Sequence, residues 1–294
     1  MKILITGGSG MLAAEIILRL SKDGHEVIVT DLNPRNHNMD KLDIVDSGAV
    51  VRKIEDTCPD YVFHLAAETD VDLCERKPEH AFRVNTLGTE NIALACQQQN
   101  IILVYVSTAS VFSGCKTSAY IEFDSPGPVN IYGQSKLQGE LIVKDLLTKY
   151  FIIRAGWMVG GWEIDKKFVY KIISQLKEGR KELMAVADKF GSPTFTKDFA
   201  NNLIPLINTK RYGLYHMSNT GVCSRYDMAV KIIDFMGLNG KVKVHAVNSD
   251  QFSLPAPRPN SEMLCNYKLD MLGLNNMPAW EDSLKEYIKA NKKR

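Results

Sequence analysis

Short apolar runs alternate with longer stretches of helical periodicity through the first half of the chain. Apolar runs at 2–5, 26–30, 61–65, 101–106 and 150–155 have the length and composition of buried strands. Stretches 13–20, 46–57, 78–99 and 132–147 place apolar residues three and four apart, the spacing of a helix with one buried face. The run 101–106 is apolar throughout, as a strand covered on both faces should be. Repeated strand and helix in this order predicts α/β architecture with a doubly wound parallel sheet, the Rossmann arrangement. Beyond Gly156 the rhythm loosens. Helical patterns recur at 168–177, 197–207, 226–235 and 280–290, and 241–247 alternates like a half-exposed strand. Leu254-Pro255-Ala256-Pro257-Arg258-Pro259 cannot be regular structure, because three prolines remove donors and fix the backbone. The expected division is a dinucleotide-binding domain over 1–156 plus roughly 196–225, and a smaller mixed α/β substrate lobe over 157–195 and 226–294.

Composition narrows the class without naming a function. The chain has 294 residues, 45% hydrophobic and 24% charged, which suits a globular protein with a sizeable core. A net charge of +2 gives no reason to expect nucleic acid or an anionic membrane. The basic C-terminus (Lys289, Lys292, Lys293, Arg294) reads as a solvated helix end. Six scattered cysteines form no C-x-x-C pair, so neither a zinc site nor a disulfide framework is indicated and a cytoplasmic, reduced setting is expected. No signal peptide precedes the first strand, and no apolar run approaches the ~18 residues of a membrane span.

Chemistry enters at Thr6-Gly7-Gly8-Ser9-Gly10-Met11-Leu12, between the first strand and the first helix. A glycine turn there places a pyrophosphate on the helix N-terminus, where backbone N–H groups and the helix dipole attract it. Gly7 permits the turn, Gly10 admits the phosphates, and Ala13 is the third small position. The second strand ends in Asp31, about twenty residues on, where a carboxylate binds the adenosine ribose hydroxyls. Asp31 would repel a 2′-phosphate and so favours NADH, while Arg35 stands close enough to partner one, leaving NADPH open.

A second constellation is Tyr132-Gly133-Gln134-Ser135-Lys136. On a helix, Tyr132 and Lys136 share a face. A neighbouring ammonium is expected to favour the phenolate and lower the Tyr132 pKa into a useful range. Ser107-Thr108 ends the fourth strand, where open α/β sheets bind ligands. Tyr132, Lys136 and Thr108 together make a hydride-transfer site. His64 reads as a satisfied core histidine, and no residues show metal-ligand spacing.

These motifs resemble the extended short-chain dehydrogenase/reductases. Asn130-Ile131-Tyr132-Gly133-Gln134-Ser135-Lys136-Leu137-Gln138-Gly139-Glu140, Gly191-Ser192-Pro193-Thr194, Tyr215-His216 and Ala256-Pro257-Arg258-Pro259-Asn260-Ser261 are similar to the dTDP-4-dehydrorhamnose reductase family, over about residues 1–285. The resemblance implies reduction of a nucleotide-linked 4-keto-6-deoxy sugar in polysaccharide biosynthesis. Thr108 would hold the keto oxygen, Tyr132 would protonate it, and Lys136 would bind the nicotinamide ribose. Ser9, Met11, Leu12, Asp43, Ile44, Leu65, Ala66 and Ala67 join the cofactor set. Glu68, Thr69, Val71, Ala109, Ser110, Trp157, Arg258 and Ser261 join the substrate set. One departure bears on substrate: the family's Asp-Tyr after Ser-Thr is here Ala109-Ser110. That pair also excludes 4,6-dehydratase chemistry, which needs Asp-Glu there. A nucleotide-sugar 4-epimerase and a non-catalytic dinucleotide-binding regulatory subunit remain the alternatives. The expected partner is the nucleotide-sugar substrate, with a homodimer as candidate assembly. Mg²⁺ is used by some family members.

Overall fold

The structure is a computed structural model describing residues 1–164 and 167–291. The basic residues Lys292, Lys293 and Arg294 lie outside the described residues. All five strands expected in the first half form: β1 (Lys2–Thr6), β2 (Glu26–Asp31), β4 (Tyr61–His64), β5 (Ile102–Thr108) and β6 (Tyr150–Ala155). Two more complete a parallel seven-stranded sheet, β3 (Asp40–Lys41) and β11 (Gly213–His216), in the order β11-β6-β5-β4-β1-β2-β3. The two additions are edge strands. β3 has two residues, both exposed, and so carries no hydrophobic pattern.

The chain winds outward from β1 to β3 and then restarts at β4 in the other direction. A crevice therefore opens between β1 and β4 at their C-terminal ends, the position where such sheets take ligands. Alternation along β1 serves both faces. Ile3 and Ile5 enter a core with Ile16 and Leu20 of α1 (Met11–Lys22) and Leu203 of α8 (Thr196–Asn208). Leu4 enters the opposite core with Val50 of α2 (Ser47–Thr57), Ile92 of α5 (Gly88–Gln99) and Val143 of α6 (Ile131–Leu146). The α2 helix starts as its sequence directs, with the Asp46 side chain accepting from Ala49 N at 2.9 Å.

The helical stretch read as 78–99 is α4 (Pro78–Phe82) running through one π-helical turn, Arg83–Leu87, into α5. A short α3 (Val71–Arg76), which the sequence pattern did not show, precedes it with Asp70 as its cap. A third core joins Val159, Trp162, Ile172, Met228, Trp280 and Leu284. It is built on α7 (Phe168–Lys177), α9 (Arg225–Met236), α11 (Trp280–Asn291) and β7 (Trp157–Val159). β8 (Glu182–Val186) pairs with β13 (Lys243–Val247), and β7 with β10 (Pro193–Phe195). β9 (Phe190–Gly191) lies between β12 (Cys223–Ser224) and β14 (Ser261–Glu262). No helix of the described residues is long and apolar enough to cross a membrane.

Candidate active site

A cleft of about 1020 Å³ runs from the glycine turn to the start of α6. At its first end, Gly7 has φ +74°, and a Cβ there would lie 2.6 Å from Ala66 N, so only glycine fits both the turn and the approach of the next strand's loop. Gly10 precedes α1 with no side-chain cap, and no acidic residue occupies the first turn. The first N–H groups of α1 are thus left to whatever the cleft holds. Asp31 braces this turn: its carboxylate accepts from Ser9 N at 3.0 Å and Asn33 N at 2.8 Å. Arg35 lines the same wall. Glycine turn, open helix end and strand-end carboxylate fit a dinucleotide.

The other end is built on α6. Asn130 caps the helix by accepting from Gly133 N at 2.8 Å, and its Nδ2 donates to the Pro257 carbonyl at 2.9 Å. Gly133 lets the helix settle on the loop after β5, because a Cβ there would stand 2.1 Å from the Ser110 carbonyl oxygen. This packing puts Tyr132 and Lys136 in the cleft beside Thr108. The Lys136 Nζ sits 4.1 Å above the Tyr105 ring.

The electrostatics differ from the sequence-based expectation. Burial pushes the Tyr132 phenol up to about 12, against the opposing pull of its hydrogen bond with Thr108. Burial likewise pushes Lys136 down to about 7, with Glu140 opposing. Desolvation outweighs pairing for both groups, and the Lys136 Nζ packs on the Tyr105 ring. Tyr132 is therefore held protonated, the state of an acid rather than of a base.

Two buried networks fix this geometry. Glu140 accepts from Arg154 Nε at 2.8 Å, Arg154 Nη2 at 2.6 Å and the Ser107 hydroxyl at 2.6 Å, tying α6 to β5 and β6. Both Glu140 and Arg154 are at most 1% exposed. Asn85, in the π-helical turn, accepts from Glu68 N at 2.8 Å and donates to the Glu68 carbonyl at 3.1 Å and Ser135 Oγ at 3.0 Å. One amide thus joins the loop after β4 to the helix of Tyr132. A π-turn at such a junction is a common functional feature. His64 bonds Thr6 Oγ1 at 2.8 Å and Thr89 Oγ1 at 3.1 Å and is buried, a satisfied core residue.

The cleft brings together Gly7, Ser9, Gly10, Met11, Leu12, Asp31, Asp43, Ile44, Leu65, Ala66 and Ala67, the residues expected to hold the cofactor. It also gathers Glu68, Thr69, Val71, Thr108, Ser110, Tyr132, Lys136, Trp157 and Arg258. Arg258 is ion-paired to Asp72 at 2.9 Å as well as lining the wall. Ala109 and Ser261 do not line it. Ala109 is 1% exposed in the turn after β5, and Ser261 is 5% exposed with its hydroxyl buried. Their chain neighbours Ser110 and Glu262 face the cleft instead. Glu262, Asn85 and Asn130 were not singled out from sequence. The capping position of Asn130, just before the helix, was the signal available for it.

Mg²⁺ takes oxygen ligands in octahedral array. Among the described residues no three His, Cys, Asp or Glu side chains converge as a metal site. Where Glu15, Asp198 and Glu286 line a second cavity of about 350 Å³, the Lys197 ammonium stands among them, paired with Glu286. No step is assigned to a metal.

The family described as the RmlD substrate binding domain matches residues 1–293. The chain is 33% identical to the spore coat polysaccharide biosynthesis protein SpsK of Bacillus subtilis, over 98% of this chain and 96% of that protein. Two crystal structures superpose on nearly the whole chain. A dTDP-4-dehydrorhamnose reductase of Clostridium acetobutylicum has a TM-score of 0.92 and 38% identity, covering 99% of each chain. A dTDP-4-dehydrorhamnose reductase of Bacillus anthracis in complex with NADP has a TM-score of 0.90 and 35% identity, covering 99% of this chain and 100% of its own.

Proposed function

The chain belongs to the RmlD substrate-binding-domain family, and from that premise we propose that it is an NAD(P)H-dependent reductase of a nucleotide-linked 4-keto-6-deoxy sugar. The observation that carries this reading is the convergence of Thr108, Tyr132 and Lys136 at one end of a cleft whose other end is the open N-terminus of α1. A bound nicotinamide supplies the hydride. The chain's own residues do the rest. The first turn of α1 binds pyrophosphate through its N–H groups. Thr108 and Tyr132 hold the keto oxygen, and Tyr132, protonated because it is buried, delivers its proton there as that oxygen becomes a hydroxyl. Lys136 in its ammonium form donates to the ribose. Trp157 provides the apolar wall of the sugar end.

Asp31 ends β2 on the cleft wall beside the glycine turn, and a carboxylate there would repel a 2′-phosphate, which supports NADH as the better coenzyme. Arg35, on the same wall, is the residue that would receive NADPH. The ratio of kcat/KM for the two coenzymes measures that balance. The test of function is oxidation of either coenzyme by dTDP-4-keto-6-deoxyhexose. Turnover by the wild type is expected, and Tyr132→Phe should lose roughly 10²–10⁴-fold in kcat while binding coenzyme normally. A folded wild type that binds NADH yet oxidises it with no keto sugar nucleotide would refute the proposal.

A further inference from the structure

Directly after Thr108 this chain has Ala109-Ser110, which supply neither a carboxylate nor an aromatic ring. A carboxylate returns to the same region from a distant segment. Glu262 lies on β14, in register with Gly191 of β9, and lines the cleft. One of its oxygens, Oε1, accepts from the Ser110 hydroxyl at 2.5 Å, and Oε2 accepts from Trp157 Nε1 at 2.7 Å. The indole so held lies over Gly191 and carries the Arg225 guanidinium 3.7 Å from its ring centroid. Glu262 enters no ion pair among the described residues. Its charge bears on the Tyr132 phenol, which places it close to the reacting end.

An ionised carboxylate offers about four acceptor positions. Two are filled by neutral donors, and the rest can be satisfied only by water or by what the cleft holds. A half-buried carboxylate without a cation favours donors and repels phosphate. Beside an indole ring, the donors it suits are the hydroxyls of a sugar. We propose that Glu262 is the sugar-reading residue of this cleft: its carboxylate accepts hydrogen bonds from hydroxyls of the substrate's hexose ring and thereby sets which sugar is taken. Ser110 and Trp157 hold the carboxylate in place. The inference rests on the reductase reading above.

The test compares binding of dTDP-rhamnose and of dTDP alone by calorimetry, with NADP⁺ present throughout, for wild type and Glu262→Gln. Losing one or two hydrogen bonds to a charged acceptor should weaken dTDP-rhamnose roughly 10- to 100-fold. The affinity for dTDP should stay within about twofold, because the assignment gives Glu262 contacts with the hexose alone. Equal weakening of both ligands, no weakening of either, or a wild type that does not bind dTDP-rhamnose overturns the proposal. Should Glu262→Gln fail to bind NADP⁺, Glu262→Asp is measured in the same way. It keeps the charge and withdraws it by one methylene, so the same split between the two ligands is expected, and its absence overturns the assignment. Turnover is not read in this experiment. A wild type that does not bind dTDP-rhamnose fails the reductase reading together with the assignment, whereas equal or absent weakening in a wild type that does bind it fails the Glu262 assignment alone.

Discussion

Lys136 should weaken the fold it sits in, and replacing it with methionine should stabilise the coenzyme-free protein. The lysine is 3% exposed and lowered from its usual 10.5 to about 7 by burial. At about 1.36 kcal/mol per pKa unit, keeping that side chain charged in the folded state costs ~4–5 kcal/mol relative to the unfolded chain. Its contact with the Tyr105 ring offsets ~1–2 kcal/mol, leaving about 2–4 kcal/mol. Methionine keeps the unbranched stem and removes the charge. The pH dependence has a definite sign. The unfolded chain holds the proton up to about 10.5 and the folded chain releases it near 7, so the penalty is complete below about 7 and fades as pH rises to about 10.5. Urea denaturation at a series of pH values measures it. Lys136→Met should exceed the wild type by about 2–4 kcal/mol at acidic pH, with the two curves converging as pH rises towards about 10. Saturating coenzyme should stabilise the wild type more than the variant, since the ammonium then gains a partner. A variant that is less stable than wild type at acidic pH, or a gap that does not change with pH, would refute the account.

The same group predicts kinetics. With Lys136 binding the ribose as its ammonium, as proposed, kcat/KM for the coenzyme should fall tenfold per pH unit above about 7, whereas Tyr132, near 12, adds no second break in the working range; a profile flat through mildly alkaline pH counts against it. Gly7→Ala forces a side chain into φ +74° and against Ala66 N, strain of ~1–3 kcal/mol that should appear as a lower urea midpoint and at least tenfold weaker coenzyme binding by fluorescence titration. Glu140→Leu leaves the Arg154 guanidinium buried without its anion and should cost ~3–5 kcal/mol in the same denaturation assay, while Glu140→Leu with Arg154→Met should recover most of it. A double variant no better than the single would show that packing, rather than the stranded charge, sets the loss.

What the sequence disclosed follows from how far each signal reaches. The glycine turn, Asp31 and the Tyr132/Lys136 pair are local patterns, and five strands were visible because each carries a short apolar run, buried in β1, β4, β5 and β6 and part-buried in β2. The edge strand β3 has no buried residue to announce it. Placement of neighbours was harder: Ala109 and Ser110 are adjacent, yet only Ser110 faces the cleft, because the tight turn after β5 turns Ala109 into the core. Glu262 was invisible for a different reason. Its partners Ser110 and Trp157 are 152 and 105 residues away in sequence, and no local pattern encodes that meeting. Asn85 likewise acts through contacts 17 and 50 residues distant.

The pKa of Tyr132 marks the limit most sharply. Spacing shows that a lysine lies one helical turn from the phenol, and charge alone then lowers its pKa. Desolvation opposes charge, and its size depends on what else packs around both groups, here Tyr105, Thr108 and the buried Glu140–Arg154 pair. Motif spacing therefore identifies which groups take part, while the sign of their titration is a property of the packed site. For a reductase this sign suits the task. An acid that must hold its proton until the keto oxygen becomes basic is served by burial, and a lysine that charges only near neutral pH is poised to be completed by the ligand it binds.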